Sequence, residues 1–351
     1  MTKAFFRTLL YGFLFLGFYS LQAQTLAAVK RNNHWFYIDQ KGTIVFSKVF
    51  EAAGDRFTDG LAPVMLKGKW GYIDATGKIV IAPAYDKALN FFNQSALVKK
   101  GANWIFIDKK GKNLNASLPQ IIDIDTVTEN IILANTPQGK IYILPSRKIL
   151  TPAKDFDDLQ PFSNGLARVK KNGKYGFIDT TGTLKITCIY ENASRFNDNI
   201  ACVQTGVSYD VIDKNGDKVQ PLTHLDDVGV FTKATAALQI YGEYNIVTLG
   251  VGERIKTGLK YGDADPSTYV YPFVDDMARF FMYNSNTKKF LFGYLTPEGK
   301  KVNAFQYDWA HDFSEGLAAV KQDGKYNYIN KRGELVIDTG FDDAHNFYKV
   351  K

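Results

Sequence analysis

The chain has 351 residues, 45% hydrophobic and 23% charged, with 26 Phe, 20 Tyr and 4 Trp against 4 Met, 4 His and 2 Cys. That is too apolar and aromatic for a disordered chain, and long enough for two or three domains or one repeat array. The formal charge of +7 includes Lys3 and Arg7, and the remaining lysines lie in short pairs such as Lys99-Lys100 and Lys170-Lys171. With no long basic block, a nucleic-acid partner is not expected.

Residues 1–23 read as a signal peptide: Lys3 and Arg7, an apolar run from Leu9 to Leu21, then Gln22-Ala23. The run is too short to cross about 30 Å of hydrocarbon as a helix, so export by cleavage is expected and the mature chain carries no transmembrane span.

Repetition begins at residue 24. Six segments align without gaps: Leu26-Ala-Ala-Val29, Leu61-Ala-Pro-Val64, Ser95-Ala-Leu-Val98, Leu166-Ala-Arg-Val169, Ile200-Ala-Cys-Val203 and Leu317-Ala-Ala-Val320. Each valine is followed nine residues later by an isoleucine: Ile38, Ile73, Ile107, Ile178, Ile212 and Ile329. A seventh copy, Met277-Ala-Arg-Phe280 leading to Leu295, carries six extra residues. Degenerate copies centre on Ile143 and Ile246, and the period is 34 to 36 residues. Short alternation broken by Gly and Asn points to strands, where helical repeats of similar length need apolar spacings of three and four.

In the unit from Phe162 to Glu191, Leu166–Lys171 reads as a strand and Asn172-Gly173 as a tight turn. Tyr175–Asp179 is the second strand, Thr180–Gly182 a turn and Thr183–Ile186 the third strand. Asp39, Asp74, Asp108, Asp179 and Asp213 each stand three residues before a glycine, where an aspartate accepts backbone N–H groups and opens a type I turn. An irregular connection follows, holding an aromatic-acidic pair (Phe50-Glu51, Tyr85-Asp86, Tyr190-Glu191, Tyr307-Asp308, Phe341-Asp342). It ends on Phe57, Phe91, Phe162, Phe196, Phe313 and Phe347, expected to plug the junction between units.

The organisation expected is a signal peptide (1–23), β-repeats (24–216), a degenerate repeat or insertion (217–275) and further β-repeats (276–351). The fold class is all-β: tandem three-stranded meanders stacked into a β-solenoid-like superhelical array. The alternative is a closed propeller-like ring, because chain start and chain end share nearly the same repeat phase. Three strands and about 34 residues per unit fall short of the usual propeller blade, which favours the open array.

Lys69-Trp70-Gly71-Tyr72-Ile73-Asp74, Lys174-Tyr175-Gly176-Phe177-Ile178-Asp179 and Phe313-Ser-Glu-Gly-Leu-Ala318 resemble the WG (KWG) repeat of bacterial proteins, over about residues 26 to 347. Trp35-Phe36, Trp104-Ile105, Tyr209-Asp210 and Tyr326-Asn327 depart from it. The resemblance implies architecture and, generically, binding or display; it transfers no catalytic residue.

Candidate chemistry is sparse. An aromatic recurs three residues before each reference position: Trp35, Trp70, Trp104, Tyr175, Tyr209, Phe292 and Tyr326. These rings either pack between units or form a ladder that stacks sugar rings or peptide aromatics. His311 and His345 share a repeat phase beside Asp312 and Asp343, and the phase should bring them together; as metal ligands they lack a close partner, as do His34 and His224. Cys188 and Cys202 are a candidate disulfide that export permits. Asp263-Ala-Asp265 lacks the further ligands of a calcium loop, and Gly250-Val-Gly252 lacks the third glycine of a dinucleotide site. No catalytic, cofactor-binding or metal residue is assigned.

The function expected is an exported, non-enzymatic binding or scaffold protein of the periplasm, cell envelope or medium, with protein or envelope-glycan partners. The alternative is a carbohydrate-active enzyme or glycan-binding protein with a site near 217–275, for example among Asp226, Asp227, Asp263 and Asp265.

Overall fold

A computed structural model describes residues 24–114, 118–152, 155–251, 254–260, 268–284 and 286–350. The leader, Gly252, Asp263 and Asp265 lie outside the described residues. Among the described residues no helix is long and apolar enough to cross a membrane.

The meander forms as its turns dictate. Strands Leu61–Leu66 and Lys69–Asp74 pair in register from Leu61↔Asp74 to Leu66↔Lys69. Lys67 and Gly68 both take positive φ, the requirement of a two-residue hairpin whose twist suits its strands. Asn172-Gly173 and Asp323-Gly324 repeat it. At the next turn Asp74 Oδ1 accepts the N–H groups of Thr76 and Lys78, as Asp39, Asp108, Asp179 and Asp213 do in their own units. Strand Ile79–Tyr85 then returns along Lys69–Asp74.

The irregular connection holds a fourth strand. Directly after the aromatic-acidic pair come two-residue strands, Ala52–Ala53, Lys87–Ala88, Asn192–Ala193, Trp309–Ala310 and Asp343–Ala344. Each pairs with the following unit and becomes the first strand of its sheet, as Ala53↔Val64 shows. Nine three- or four-stranded sheets result among the described residues. The stretch 217–275 supplies the last strand of the sixth sheet, the whole seventh sheet (Thr235–Ile240, Glu243–Thr248 and Arg254–Lys260) and Tyr269–Val270 of the eighth.

The first and last described strands share one sheet. Asp343–Ala344 and Tyr348–Lys349 both pair with Thr25–Arg31, and the Ala28 and Lys30 carbonyls accept from His345 and Asp342. The array is therefore closed, a nine-bladed β-propeller in which the carboxyl-terminal end completes blade 1. The open superhelix gives way to the ring. Its strand count omitted the two-residue strands, which are too short to show alternation.

Packing follows from strand periodicity. Successive side chains point to opposite faces, so Leu26 and Ala28 join the core shared with blade 2, while Ala27 and Val29 join the core shared with blade 9. Nine such cores fill nine seams. The recurring phenylalanines plug them as expected: Phe91 meets Tyr72, Phe162 meets Tyr142, Phe313 meets Tyr294 and Phe347 meets Tyr328, at 4.7 to 4.9 Å between ring centroids. Each of these tyrosines also donates to a carbonyl of the segment that opens the next sheet, at Leu89, His311 and His345 just past the two-residue strands and at Gln160 within strand Asp158–Ser163, at 2.6 to 2.7 Å. Burial drives their hydroxyls well above the usual pKa, so they stay neutral donors.

The lysine and the glycine of the Lys-Trp-Gly signature each have a physical cause. The glycine sits where the last strand crosses closely: a Cβ on Gly176 would lie 2.6 Å from the Ile186 carbonyl oxygen, and one on Gly71 2.5 Å from that of Ile81. The lysine pairs with the acid of the aromatic-acidic pair, as Lys69 does with Asp86 and Lys325 with Asp342, both at 2.5 Å. That acid also accepts hairpin N–H groups of the next blade, those of Gly101 for Asp86 and Asn32 for Asp342. Gly176→Ala should therefore lower unfolding stability by about 2 kcal/mol through overpacking. Val207→Ala, at a side chain 96% exposed, should change it by less than about 0.5 kcal/mol in the same denaturant titration.

Candidate functional site: an aromatic cleft at blades 8 and 9

Blade 8 is built on the lengthened hairpin, Ala278–Asn284 paired with Lys289–Leu295. Its register sets Tyr269 opposite Phe281, Phe281 opposite Phe292 and Phe292 opposite Tyr307, four aromatics in one row across four strands. In blade 2 the same row reads Ala52, Met65, Trp70, Tyr85. Cross-strand aromatic neighbours support one another, and here they outgrow the seam. Phe281 lies 5.3 Å from Phe290 and 5.5 Å from Phe292, and Phe292 lies 5.0 Å from Trp309 of blade 9.

The result is an open cleft of about 370 Å³ lined by Tyr271, Phe281, Phe290, Phe292 and Trp309, with Asp308 as its one charged lining residue. Phe290 and Trp309 are each 41% exposed and Tyr269 42%. Exposed rings gathered into a concave apolar surface mark an interaction site, whereas scattered ones do not. Arg279 closes one flank, its guanidinium 3.8 Å over Tyr271 and 2.8 Å from Asp312. Phe292 is the cleft residue legible from its repeat position. Tyr271, Phe281, Phe290 and Trp309 escape a single-position scan, although the run Phe280-Phe281-Met282-Tyr283 at the extended hairpin is a composition signal for them.

The seven recurring aromatics all lie in seams. Trp35, Trp104, Tyr209, Phe292 and Tyr326 are buried in the cores between blades 1 and 2, 3 and 4, 6 and 7, 8 and 9, and 9 and 1. Trp70 and Tyr175 pack half-buried against theirs.

His311 and His345 lie near enough for the charge of His345 to act on His311. Trp35 lies 4.6 Å from the His345 ring, and Tyr326 5.9 Å from that of His311. Burial, His345 and Arg279 push His311 down to about 4 against the pull of Asp343; burial also lowers His345. Among the described residues no group of three metal-ligating side chains could hold an ion. His34 contacts the Asn32 carbonyl, and His224 stacks on Tyr241.

The disulfide considered for Cys188 and Cys202 is not formed. Cys188 packs against the core between blades 4 and 5, and Cys202 lies in that between blades 6 and 7, so a whole seam separates them. Burial pushes the Cys202 thiol up to about 12. Asp226 accepts the Gly242 N–H, and Asp227 accepts from Asn192 and Val228. Asp226 thus serves a hairpin and Asp227 ties its loop to strand Asn192–Ala193; Asp227 also borders a cavity of about 100 Å³.

A family model described as the WG containing repeat matches residues 35–70, 70–104, 145–175, 175–206, 292–326 and 328–349, more than half of the chain. No curated protein matches the sequence. Among solved structures, a eukaryotic initiation factor superposes with a TM-score of 0.57 at 10% identity, over 93% of this chain and 98% of that one. That likeness is one of fold. Kluyveromyces lactis Hsv2p is similar over 69% of this chain and 97% of its own at 10% identity, and its TM-score of 0.34 supports no argument.

Two outcomes follow from burial and charge. Trp35→Ala should cost about 3–5 kcal/mol of unfolding stability, and Phe290→Ala less than about 1 kcal/mol, because one ring is core and the other rim. The depressed His311 pKa means that the unfolded chain binds the proton first. Stability is then full above the ordinary histidine pKa of about 6.5 and falls as pH drops towards 4, by up to about 3 kcal/mol. Equilibrium unfolding between pH 7 and 4 should show that loss, and His311→Asn should reduce it, His345 supplying part of what remains.

Proposed function

The chain belongs to the WG-repeat family, and from that premise we propose that it is an exported, non-enzymatic binding protein. It acts as a rigid ring that offers the blade 8–9 cleft to a protein partner. The observation that carries this reading is the cleft itself, five rings in one concavity with Phe290 and Trp309 more than a third exposed. Aromatic anchor sites of this kind dominate protein interfaces energetically. The acids weighed as candidate catalytic groups are engaged elsewhere, which supports binding over turnover: Asp226 accepts the Gly242 N–H and Asp227 the Asn192 side-chain amide, and beside the cleft Asp312 is paired with Arg279. The basic, apolar leader of residues 1–23 supports export.

The test is retention of envelope protein and envelope glycan fractions from the source organism on the immobilised chain, residues 24–351. The comparison is a Phe290→Ser/Trp309→Ser variant verified as folded. The native ring should retain discrete proteins, and the variant should retain at least about fivefold less, the loss of one or more anchors of about 1 kcal/mol. Equal retention by both forms would move the interface away from the cleft. Retention of glycan without protein would replace the protein partner with a polymer.

A further inference from the structure

Asp308 differs from Asp86, Glu191 and Asp342 in what answers its charge. Asp86, Glu191 and Asp342 each use one carboxylate oxygen for a hairpin N–H of the next blade and the other for the lysine that opens the motif, Lys69, Lys174 and Lys325. Asp308 keeps the first bond, accepting from the Asp323 N–H at 3.0 Å. The lysine position, immediately before the motif aromatic Phe292, is Leu291. Lys289 reaches over from two residues upstream and stops 3.6 Å from Asp308 Oδ1, against 2.5 Å for Lys69 and Lys325. His34, Asn103 and Ser208 also replace the lysine, so the exchange alone marks no site. At Asp308 it coincides with five ring-bearing neighbours.

We propose that the cleft receives a lysine or arginine side chain from the protein partner, the charged head on Asp308 Oδ1 and the stem or guanidinium plane against Phe281, Phe290, Phe292 and Trp309. This rests on the binding function proposed above and names the group recognised. The partner's cation takes the place that Lys69, Lys174 and Lys325 hold in their own blades.

Three considerations favour a cation over other occupants. An apolar plug would strip water from Asp308 and leave its charge poorly answered, which is costly. A sugar needs several directional hydrogen-bond partners, and Asp308 is the one charged group in the lining. Ring faces attract cations, and those of this cleft already do so: Arg279 sits 3.8 Å over Tyr271 and 5.8 Å from Trp309, its own charge matched by Asp312.

The experiment is a titration of the folded chain, followed by nuclear magnetic resonance, with four peptides: Ac-Gly-Arg-Gly-NH2, Ac-Gly-Lys-Gly-NH2, the neutral citrulline analogue and Ac-Gly-Leu-Gly-NH2. The arginine and lysine peptides should bind about tenfold more tightly than the citrulline and leucine peptides, with an advantage that shrinks as salt is raised. Asp308→Asn retains an acceptor for the Asp323 N–H and should erase the preference. Leu291→Lys restores the repeat's internal ammonium and should block the cationic peptides at unchanged thermal stability. Leucine binding as tight as arginine, unaffected by Asp308→Asn, would overturn the cation inference while leaving the cleft as an interface. Failure of all four peptides to bind would overturn it too, and with equal retention by the Phe290→Ser/Trp309→Ser variant the cleft would fall as the interface as well.

Discussion

Every blade of this protein is apolar on both faces, and that constraint governs the rest. Leu26 and Ala28 point one way, Ala27 and Val29 the other, and both pairs are almost wholly buried. An array that ended in solvent would leave such a face bare at each end, together with an unpaired strand edge. Closing the ring removes both liabilities. The fold achieves it by splitting blade 1 between the first strand of the chain and the last residues, so that the hydrogen bonds from Asp342, His345 and Val350 to Lys30, Ala28 and Gln24 hold the ends together. Exact complementarity within each seam is secondary to this. Blades whose motif drifts, such as blade 6 with Asp210 in the glycine position, keep the ring by local compensation, here the Asp210 pair with Lys218 at 2.7 Å.

Most of the unit is legible in the sequence because its signals are local. Positive-φ pairs such as Asn172-Gly173 announce hairpins, aspartates such as Asp74 announce the second turn, and the spacing of Phe91 or Phe347 announces the seam. The topology is harder to read because it rests on segments with no periodicity. Ala52–Ala53 and Lys87–Ala88 are two residues long, and a two-residue strand cannot alternate. Three visible strands made the unit look too small for a blade. The shared repeat phase of Leu26 and Phe347 is the sign of closure, and the structure explains it: the described residues start on the second strand of a blade and finish on its first.

The cleft shows a different limit. Phe292 belongs to a repeat column and stands out by position, but Phe281, Phe290, Tyr271 and Trp309 acquire meaning through cross-strand register and through the neighbouring blade. The same holds for Leu291, an unremarkable apolar residue until its column is seen to hold Lys69, Lys174 and Lys325 and its neighbour Asp308 is seen to face the rings. Conversely, the most conspicuous residues of the motif, the tryptophans, serve mainly packing: Trp35 and Trp104 are core. In a repeat protein the repeated residues maintain the ring, and departures from the repeat are where a specific surface is found.

Closure is the claim on which the account stands, and a cross-link between the chain ends tests it directly. Thr25 and Lys349 face each other as antiparallel partners in blade 1, close enough for a disulfide. A Thr25→Cys/Lys349→Cys variant, with Cys188 and Cys202 replaced by alanine, should oxidise to a circular monomer that migrates faster on a denaturing gel and is reversed by reductant. Two freely labelled thiols in the folded protein, with no change in migration, would mean that the ends do not meet and that the array is open.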